Sequence, residues 1–462
     1  MPDSDTPLTQ DPEIAAAPPA TAPADRARRS ALFIVFLVVV IDLLGFGIVL
    51  PLLALYANRL LLPIFPGDEG RLARGGLLAA LMASFSFMQF LFAPVWGRIS
   101  DRVGRRPILL LGLGGSAAFY ALFAYASHLG FTGQPALAVG LILIARVGAG
   151  VAGATIATAQ AVVADCTPPE RRARGMALIG AAFGIGFTFG PLLAYASFFV
   201  PSRAAPGVAA AGLSLIALLL GVVLLPETLR AGVAAGRRHW FRLGATLEVL
   251  RTPVIGALVA IFFLATVAFG SLESTLALMN QLLLSAGQAP RMDQLTDDQL
   301  EEVFKKSSLI FAYVGLVLMV IQGGVYRRCV GRVGEVRFLR MGTALMLLGL
   351  GCVIVTVLGV TRGNLAGQGT VIPLALIILA VLVTGFALMT PSIQALISRR
   401  ADPTRQGEIL GVNQSMSALA RILGPAIGPF LFFADSSHVL PYVVGAGLMA
   451  VVFMLTLRLH QG

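Results

Sequence analysis

The chain has few charged residues: 12% of its 462 positions are Asp, Glu, Lys or Arg, whereas 57% are hydrophobic. Soluble globular proteins carry about 25% charged residues, and their surface-to-volume ratio leaves no room to bury so much apolar side chain. This scarcity excludes a soluble enzyme, an intrinsically disordered protein and a secreted disulfide-rich scaffold. The composition predicts a polytopic membrane protein.

Cysteine, histidine and lysine are also rare. Cys166, Cys329 and Cys352 are odd in number and far apart, and the four histidines form no cluster, so neither a disulfide framework nor a metal site is predicted. The two lysines follow no glycine, which excludes ATP hydrolysis through a Gly-Lys-Ser/Thr phosphate loop. The net charge of +11 comes from basic residues between apolar runs, which is typical of membrane loops rather than of a nucleic-acid-binding face. We expect no metal, no cofactor, no nucleic-acid partner and no enzymatic activity.

Apolar stretches long enough to cross a bilayer, about 20 residues each, recur from residue 31 onward. The twelve predicted spans lie near 31–57, 76–97, 107–127, 136–160, 173–199, 207–225, 253–283, 303–325, 338–360, 371–397, 407–433 and 438–458. A transmembrane barrel is excluded because it would show alternating segments of about 10 residues. The predicted fold is an all-α membrane protein with twelve transmembrane helices in two pseudo-symmetric six-helix bundles.

The chain divides into four predicted segments. Residues 1–29 lack the basic start and apolar core of a signal peptide, so a disordered cytoplasmic tail is predicted there. The longest internal loop, at 226–252, is predicted to be a cytoplasmic linker. It separates an N-terminal bundle at 30–225 from a C-terminal bundle at 253–462.

The two halves of the chain resemble each other in sequence. Asp165 of the first half is matched by Asp402 of the second, and the pair Gly190-Pro191 is matched by Gly428-Pro429. Parallel repeats of this kind are typical of two-bundle secondary transporters.

The positions of the basic residues predict the orientation of the chain. With a cytoplasmic N-terminus, 24 of the 34 Lys and Arg residues lie on the cytoplasmic side, eight lie on the other side, and Arg146 and Arg421 lie inside spans. This bias fits the positive-inside rule with both termini cytoplasmic. We expect a monomeric, multi-pass protein of the lipid bilayer, in a bacterial cytoplasmic (inner) membrane.

The loop after the second span carries the most specific motif. Residues 97–107 read GRISDRVGRRP and resemble the signature G-x-L-x-D-R-x-G-R-R/K of the major facilitator superfamily, with Ile99 as the one departure. Residues 42–51 resemble the first span of the twelve-helix drug:proton antiporters of that superfamily, and residues 89–94 and 225–228 resemble tetracycline-exporter relatives. Within that group, residues 175–191 and 272–276 are similar to the tetracycline-transporter-like branch. The resemblance covers 31–458 and implies the two-bundle fold and a transport function.

The resemblance also implies a conformational lock on the cytoplasmic side. Asp101 would meet the start of the eleventh helix, where an anion is stabilised by about 0.3–1 kcal/mol, and Arg105 would pair with Asp165. Together with Gly97 and Gly104 these residues form the predicted lock. The alternative is that the loop only determines topology through its basic charge.

Two acids lie inside predicted spans. Asp42 is in the first span and Glu273 is in the seventh. A carboxylate in hydrocarbon costs several kcal/mol unless it is paired, hydrated or protonated, so both are candidates for proton coupling or substrate binding. They belong to opposite halves and could face one central cavity from both bundles. The alternative for each is a structural bond to a neighbouring helix.

Two arginines also lie inside spans. Arg146 and Gly150 resemble the fourth-span motif R-x-x-x-G of the superfamily, although Ala149 replaces its usual Gln. Because an arginine does not lose its proton in proteins, Arg146 is predicted to tune a nearby carboxylate unless it forms a structural pair. Arg421 is a similar candidate, and the alternative for it is a charge that keeps the cavity hydrated.

The fifth span contains two runs of spaced glycines. Gly180-x-x-x-Gly184 and Gly186-x-x-x-Gly190-Pro191 resemble the antiporter motif G-x-x-x-G-P-x-x-G-G, with Ala194-Tyr195 in place of the final glycines. Small residues let helices approach closely, and proline kinks a helix. A hinge is predicted, with packing alone as the alternative, at Gly186, Gly190, Pro191, Gly428 and Pro429.

These patterns predict a secondary-active transporter that exports small amphipathic drugs or organic ions in exchange for protons. Its expected partners are the small-molecule substrate and protons. One alternative is a proton symporter or facilitator for a metabolite such as a sugar or an organic anion. Another is a transport-dead receptor or scaffold with the same fold. A membrane-embedded enzyme would need clustered His, Cys or paired carboxylates, and the sequence has none.

Overall fold

A computed structural model describes residues 22–167, 172–200, 202–229, 248–284, 297–365, 368–400 and 406–459. Within these ranges the regular elements are helices, and no strand occurs. Residues 1–21 of the predicted tail at 1–29 lie outside the described residues. Residues 230–247 of the predicted linker at 226–252 do so as well.

The helices of the first half are α1 (Ala22–Leu61), α2 (Arg71–Val103), α3 (Arg105–Phe131), α4 (Pro135–Gly153), α5 (Ile156–Cys166), α6 (Arg172–Ser197) and α7 (Ala205–Leu224). Those of the second half are α8 (Pro253–Leu284), α9 (Asp297–Val320), a π-helical turn (Ile321–Tyr326), α10 (Arg327–Val333), α11 (Glu335–Thr361), α12 (Gln368–Arg400), α13 (Gln406–Ala434) and α14 (Leu440–Leu457).

These helices give the predicted number of spans. Among the described residues, eleven helical stretches are long and apolar enough to cross a membrane, and α6, with 26 residues, lies where the fifth span is predicted. Two spans contain more than one helix: α4 and α5 share Pro135–Val163, and α9, the π turn and α10 share Asp298–Val333. The all-α, twelve-helix fold is confirmed.

The fourth span is interrupted between α4 and α5, which frees backbone carbonyl groups. Side chains of α2 satisfy two of them: Gln89 Nε2 donates to Gly153 O at 3.1 Å and Trp96 Nε1 donates to Val151 O at 2.8 Å. Donors are needed here because an unpaired backbone carbonyl inside a membrane protein is costly.

Helix contacts define two bundles and the surface between them. In the first half, α1 packs against α6 and α7, and α3 packs against α4 and α7. In the second half, α8 packs against α13 and α14, and α11 packs against α12 and α14. Between the halves, α2 packs against α13, and α6 packs against α9.

Glycines allow the closest of these contacts. A Cβ atom added to Gly190 of α6 would lie 2.6 Å from Gly47 Cα of α1. In the other half, a Cβ atom on Gly428 of α13 would lie 2.6 Å from Ser274 Oγ of α8. Real Cβ atoms do not approach other atoms so closely, so each helix pair depends on the missing side chain.

The bundles are joined at one end of the molecule. We call the membrane face that carries the 97–107 loop the basic face, and the other the opposite face. At the opposite face, Arg71 Nη2 donates to Asp435 O at 2.8 Å, and Arg203 and Glu301 form an ion pair at 3.1 Å. The rings of Tyr56 and Phe304 pack with centroids 4.8 Å apart. Each contact links the first half of the chain to the second, so this end is closed.

Toward the basic face, residues of α2 and of the eighth span become more exposed. In α2 the residues from Gly75 to Phe85 include many that are buried, but none is buried from Ser86 to Ile99. In the eighth span, no residue from Leu316 to Val333 is buried. Since α2 and α9 are helices through which the bundles meet, this loss of burial indicates that the bundles separate toward the basic face, and we call the space between them there the cavity.

Candidate functional site

Asp42 of α1 contacts α3 of its own bundle. Its carboxyl group hydrogen-bonds with the Ser116 hydroxyl, while Oδ1 is buried and has no hydrogen-bond partner among the described residues. Tyr120, one turn further along α3, lies close enough to interact electrostatically with both Asp42 and Arg146. The acid of the first bundle therefore has a polar environment supplied mainly by α3.

Arg146 of α4 is enclosed in the same bundle, with 3% of its surface exposed. Its Nε donates to Leu81 O at 3.5 Å, its guanidinium lies 4.8 Å from the centre of the Phe85 ring, and Nη1 is buried without a hydrogen-bond partner in the described part of the chain. Asp42, Tyr120 and Arg146 thus form one charged cluster inside the N-terminal bundle.

Glu273 of α8 and Arg421 of α13 form a second charged pair, in the C-terminal bundle. They interact electrostatically, but no acid in the described ranges lies within 4 Å of the Arg421 guanidinium. The nearest hydrogen bond runs from Arg421 Nη1 to Ser417 Oγ, at 3.2 Å. Glu273 is half-buried and Arg421 is exposed, although both lie in the middle of long helices.

Phenylalanine rings lie near both charged groups. Phe46 of α1 contacts Phe85 of α2, with ring centres 4.9 Å apart, and Phe187 of α6, with ring centres 6.1 Å apart. In the second bundle, Phe269 of α8 stacks on Phe386 of α12 at 3.9 Å, with the rings nearly parallel. Phe46, Phe187, Phe269 and Phe386 are each partly exposed, so they offer apolar surface beside the charges.

At the basic face, Arg105 joins the predicted lock residues. It forms ion pairs with Asp101 at 2.5 Å and with Asp165 at 3.2 Å, and it donates to Ser100 Oγ at 2.7 Å. Gly104 has a φ of 116°, a conformation that favours glycine, and it turns the chain between α2 and α3. A Cβ atom on Gly97 would meet no other atom within 4 Å.

The start of the eleventh helix, which is the partner expected for Asp101, lies partly outside the described residues. Residues 401–405, which precede α13, lie outside the described residues, as do Asp402 and the side chains of the first residues of α13. Asp101 instead contacts Arg105 of its own bundle in this structure.

Comparisons with known proteins decide the family. The model of the Major Facilitator Superfamily matches residues 32–425. The chain belongs to this superfamily. It is similar to the class C tetracycline resistance protein of Escherichia coli, with 31% identity over 435 residues that cover 91% of this chain and 95% of the relative.

Solved structures agree with this assignment. The crystal structure of the human organic anion transporter MFSD10 (TETRAN) has 27% identity and a TM-score of 0.60, over 93% of this chain and 99% of that one. The D-xylose-proton symporter, at 15% identity, has a TM-score of 0.71 over 93% and 97% of the two chains, which shows the shared fold. As the sequence predicted, this chain is a secondary transporter of the major facilitator superfamily.

Sequence reasoning did not assign a role to Glu227 of this transporter. Its carboxylate accepts hydrogen bonds from the backbone N–H groups of Arg105 at 2.9 Å and Arg106 at 3.1 Å, at the first turn of α3, and from two N–H groups in its own segment. Partial burial raises the pKa of Glu227, but these four donors outweigh it and hold the pKa below its ordinary value. The sequence shows Leu225-Pro226-Glu227-Thr228 at the end of the sixth span, but this motif by itself does not indicate which groups the carboxylate contacts.

The contacts at the opposite face were also missed. In the sequence, Arg71 and Arg203 contribute only to the count of basic loop residues and Glu301 has no assigned role, because their partners are 98 to 364 positions away. The pairing of Arg203 with Glu301 has no local pattern that could have predicted it.

Proposed function

We propose that this transporter exports small amphipathic solutes in exchange for protons by alternating access of its two bundles. The observation that carries the proposal is the presence of one acid and one arginine in the membrane interior of each bundle, beside a cavity that opens at the basic face. The similarity to tetracycline resistance proteins favours export among the transport modes of the superfamily.

Asp42 is the proposed proton carrier. A carrier must be stable with and without its proton, and the Ser116 hydroxyl can donate to a carboxylate or accept from a carboxylic acid. Arg146 keeps its charge throughout the cycle, and Tyr120 lies close enough to interact electrostatically with both Arg146 and Asp42. Each pH unit of gradient supplies about 1.4 kcal/mol per proton, enough for a tenfold solute gradient.

The orientation and the lock belong to the same proposal. With the basic face in the cytoplasm, the cavity would load substrate from the cytoplasm in this state. After the bundles rock, Asp101, Arg105 and Asp165 would hold the basic face closed, while Gly190-Pro191 and Gly428-Pro429 would form the moving contacts. Both termini would then be cytoplasmic, with the bundles at 30–225 and 253–462 moving as units.

The test is transport in proteoliposomes with an imposed pH gradient, in the wild type and in Asp42→Asn. Asparagine keeps the volume and much of the hydrogen bonding but cannot change charge, so pH-driven transport should fall to the level of empty liposomes. Asp68→Asn is the matched control, because that side chain is 87% exposed in the loop after α1 and should transport normally.

Two results would contradict the proposal. Unchanged rate and pH dependence in Asp42→Asn would make Asp42 structural and shift the coupling to Glu273. Uptake in the same direction as the proton gradient would instead establish the symporter alternative, because import and export respond to the gradient with opposite signs.

A further inference from the structure

The charged groups of the two bundles are not equally accessible. Arg146 is enclosed, whereas Arg421 is exposed and, within the described part of the chain, donates a side-chain hydrogen bond to Ser417. Glu273 is near but forms no ion pair with it. The exposed charge inside the C-terminal bundle is therefore positive.

The contacts of α13 show where Arg421 points. This helix packs on α8 of its own bundle through Gly424 and Gly428, and on α2 of the other bundle through Pro429 and Phe433. Successive residues of an α-helix are about 100° apart, so Arg421 lies about 20° from Gly428 and about 60° from Gly424 on one side, and about 80° from Pro429 on the other. Arg421 is nevertheless exposed, and because a charged side chain in the membrane interior faces a bundle interior or a water-filled cavity rather than lipid, we infer that it projects toward the cavity between the bundles.

An apolar surface lies at the same level. A Cβ atom on Gly424 of α13 would lie 3.0 Å from Gly270 Cα of α8, which places Phe269 and Arg421 within about one helical turn of each other along the bundle. Phe269 and its stacked partner Phe386 are partly exposed. A guanidinium and an aromatic surface thus lie at a similar depth in the C-terminal bundle, and this combination suits a ligand with an anionic group and a flat apolar body.

The mouth of the cavity has the same sign of charge. Exposed arginines end both helices that flank the opening: Arg102 on α2, and Arg327, Arg328 and Arg332 on α10. The nearby acids are engaged, since Asp101 and Asp165 pair with Arg105, and Glu335 pairs with Arg399 at 2.9 Å. A basic rim raises the local concentration of anions and disfavours the entry of cations.

We propose that Arg421 binds the anionic group of the substrate and that the transported class is amphipathic organic anions with an aromatic ring. The Arg421 guanidinium would hold a carboxylate or sulfonate, and the Phe269–Phe386 stack would hold the ring. The inference rests on the proposed function for the transport step, but not for the binding step.

The experiment measures equilibrium binding to purified protein in lipid nanodiscs, without any proton gradient. Three probes share one ring system and differ in charge: 2-naphthoate, 2-naphthamide and naphthalen-2-ylmethylammonium. The wild type should bind naphthoate at least about tenfold more tightly than the ammonium probe. Arg421→Gln should weaken naphthoate binding by a similar factor and leave the amide unchanged.

The controls separate charge from folding. Arg362→Gln removes the same charge at an exposed position of the opposite face and should bind all three probes as the wild type does. Arg421→Lys keeps the charge and should retain most of the naphthoate affinity. If Arg421→Gln does not fold, the charge preference of the wild type and the Arg421→Lys variant still decide the question.

Tighter binding of the ammonium probe, or unchanged naphthoate affinity in folded Arg421→Gln, would overturn the inference. Because binding is measured at equilibrium, naphthoate selectivity that depends on Arg421 would stand even if transport proved independent of protons. Proton-driven transport of the ammonium probe, without tighter binding of naphthoate, would support the proposed function and contradict the anion-binding inference.

Discussion

Individual charged residues of this transporter differ in what stabilises them. Inside the membrane, Asp42 hydrogen-bonds with the Ser116 side chain and Arg146 donates to the Leu81 backbone carbonyl, both within the N-terminal bundle, whereas Arg421 is exposed. Outside it, Glu227 is bound by backbone N–H groups at the first turn of α3, where the helix dipole also favours a negative charge. This carboxylate connects the end of the sixth span to the start of the third.

Glu227→Gln should lower thermal stability in a pH-dependent way. The folded state holds the pKa of Glu227 below its ordinary value, so its contribution is present above the unfolded-state pKa and is lost as the pH falls through the folded-state pKa. Because the side chain is exposed, we expect about 0.3–1 kcal/mol at pH 7, with no difference between variant and wild type at strongly acidic pH.

Melting of both proteins across a pH series checks this prediction. Glu69→Gln, an exposed acid at the opposite face, is the control and should match the wild type at every pH. A Glu227→Gln deficit that persists unchanged at strongly acidic pH would show that shape, not charge, is responsible.

At the scale of helices, contacts through glycine decide which pairs can approach. On α6, a Cβ atom at Gly190 would press against the backbone of Gly47, whereas a Cβ atom at Gly184 would meet nothing within 4 Å. Two glycines of one helix therefore predict opposite results for the same substitution.

Gly190→Ala should destabilise the fold by about 1–3 kcal/mol, the range for overpacked sites. Gly184→Ala should be neutral or slightly stabilising, because alanine has the higher helix propensity. Thermal unfolding in detergent would measure both. Equal melting temperatures for the two variants would mean that α1 and α6 are not in close contact at Gly47.

At the scale of the whole molecule, the contacts at the opposite face hold this conformation. The ion pair between Arg203 and Glu301 crosses the bundles, whereas the neighbouring acid Glu302 pairs with Lys306 of its own helix. One of these two adjacent acids therefore contributes to closure and the other does not.

Glu301→Gln should favour opening of the opposite face. An ion pair at a partly exposed site is worth about 0.2–1 kcal/mol, so the ratio of open to closed molecules should rise by up to about fivefold. Distances between spin labels at positions 69 and 362, in a background with the three native cysteines replaced, would report the change. Glu302→Gln is the control, and an equal shift in both variants would count against a specific closing contact.

The fold could be predicted from the sequence because each span is a local signal. Twenty consecutive apolar residues require a helix whatever surrounds them, and the loop motif at 97–107 is specific to the superfamily. The surroundings of Asp42 could not be predicted in this way. They depend on Ser116 and Tyr120, some 75 positions later in the chain, and on how α3 is rotated. The glycines near Asp42 serve helix packing, since Gly45 faces Tyr120 and α7 and Gly47 faces α6.

The closed layer of Tyr56, Phe304 and the Arg203–Glu301 pair also has an electrical consequence. A water-filled cavity conducts, so its interior stays near the potential of the solution at the basic face. Most of the membrane voltage must then fall across the closed layer, where a unit charge gains about 2.3 kcal/mol per 100 mV. A solute that enters the cavity crosses almost none of that voltage. The voltage sensitivity of the transport cycle should therefore lie in the rocking of the bundles rather than in the binding of substrate.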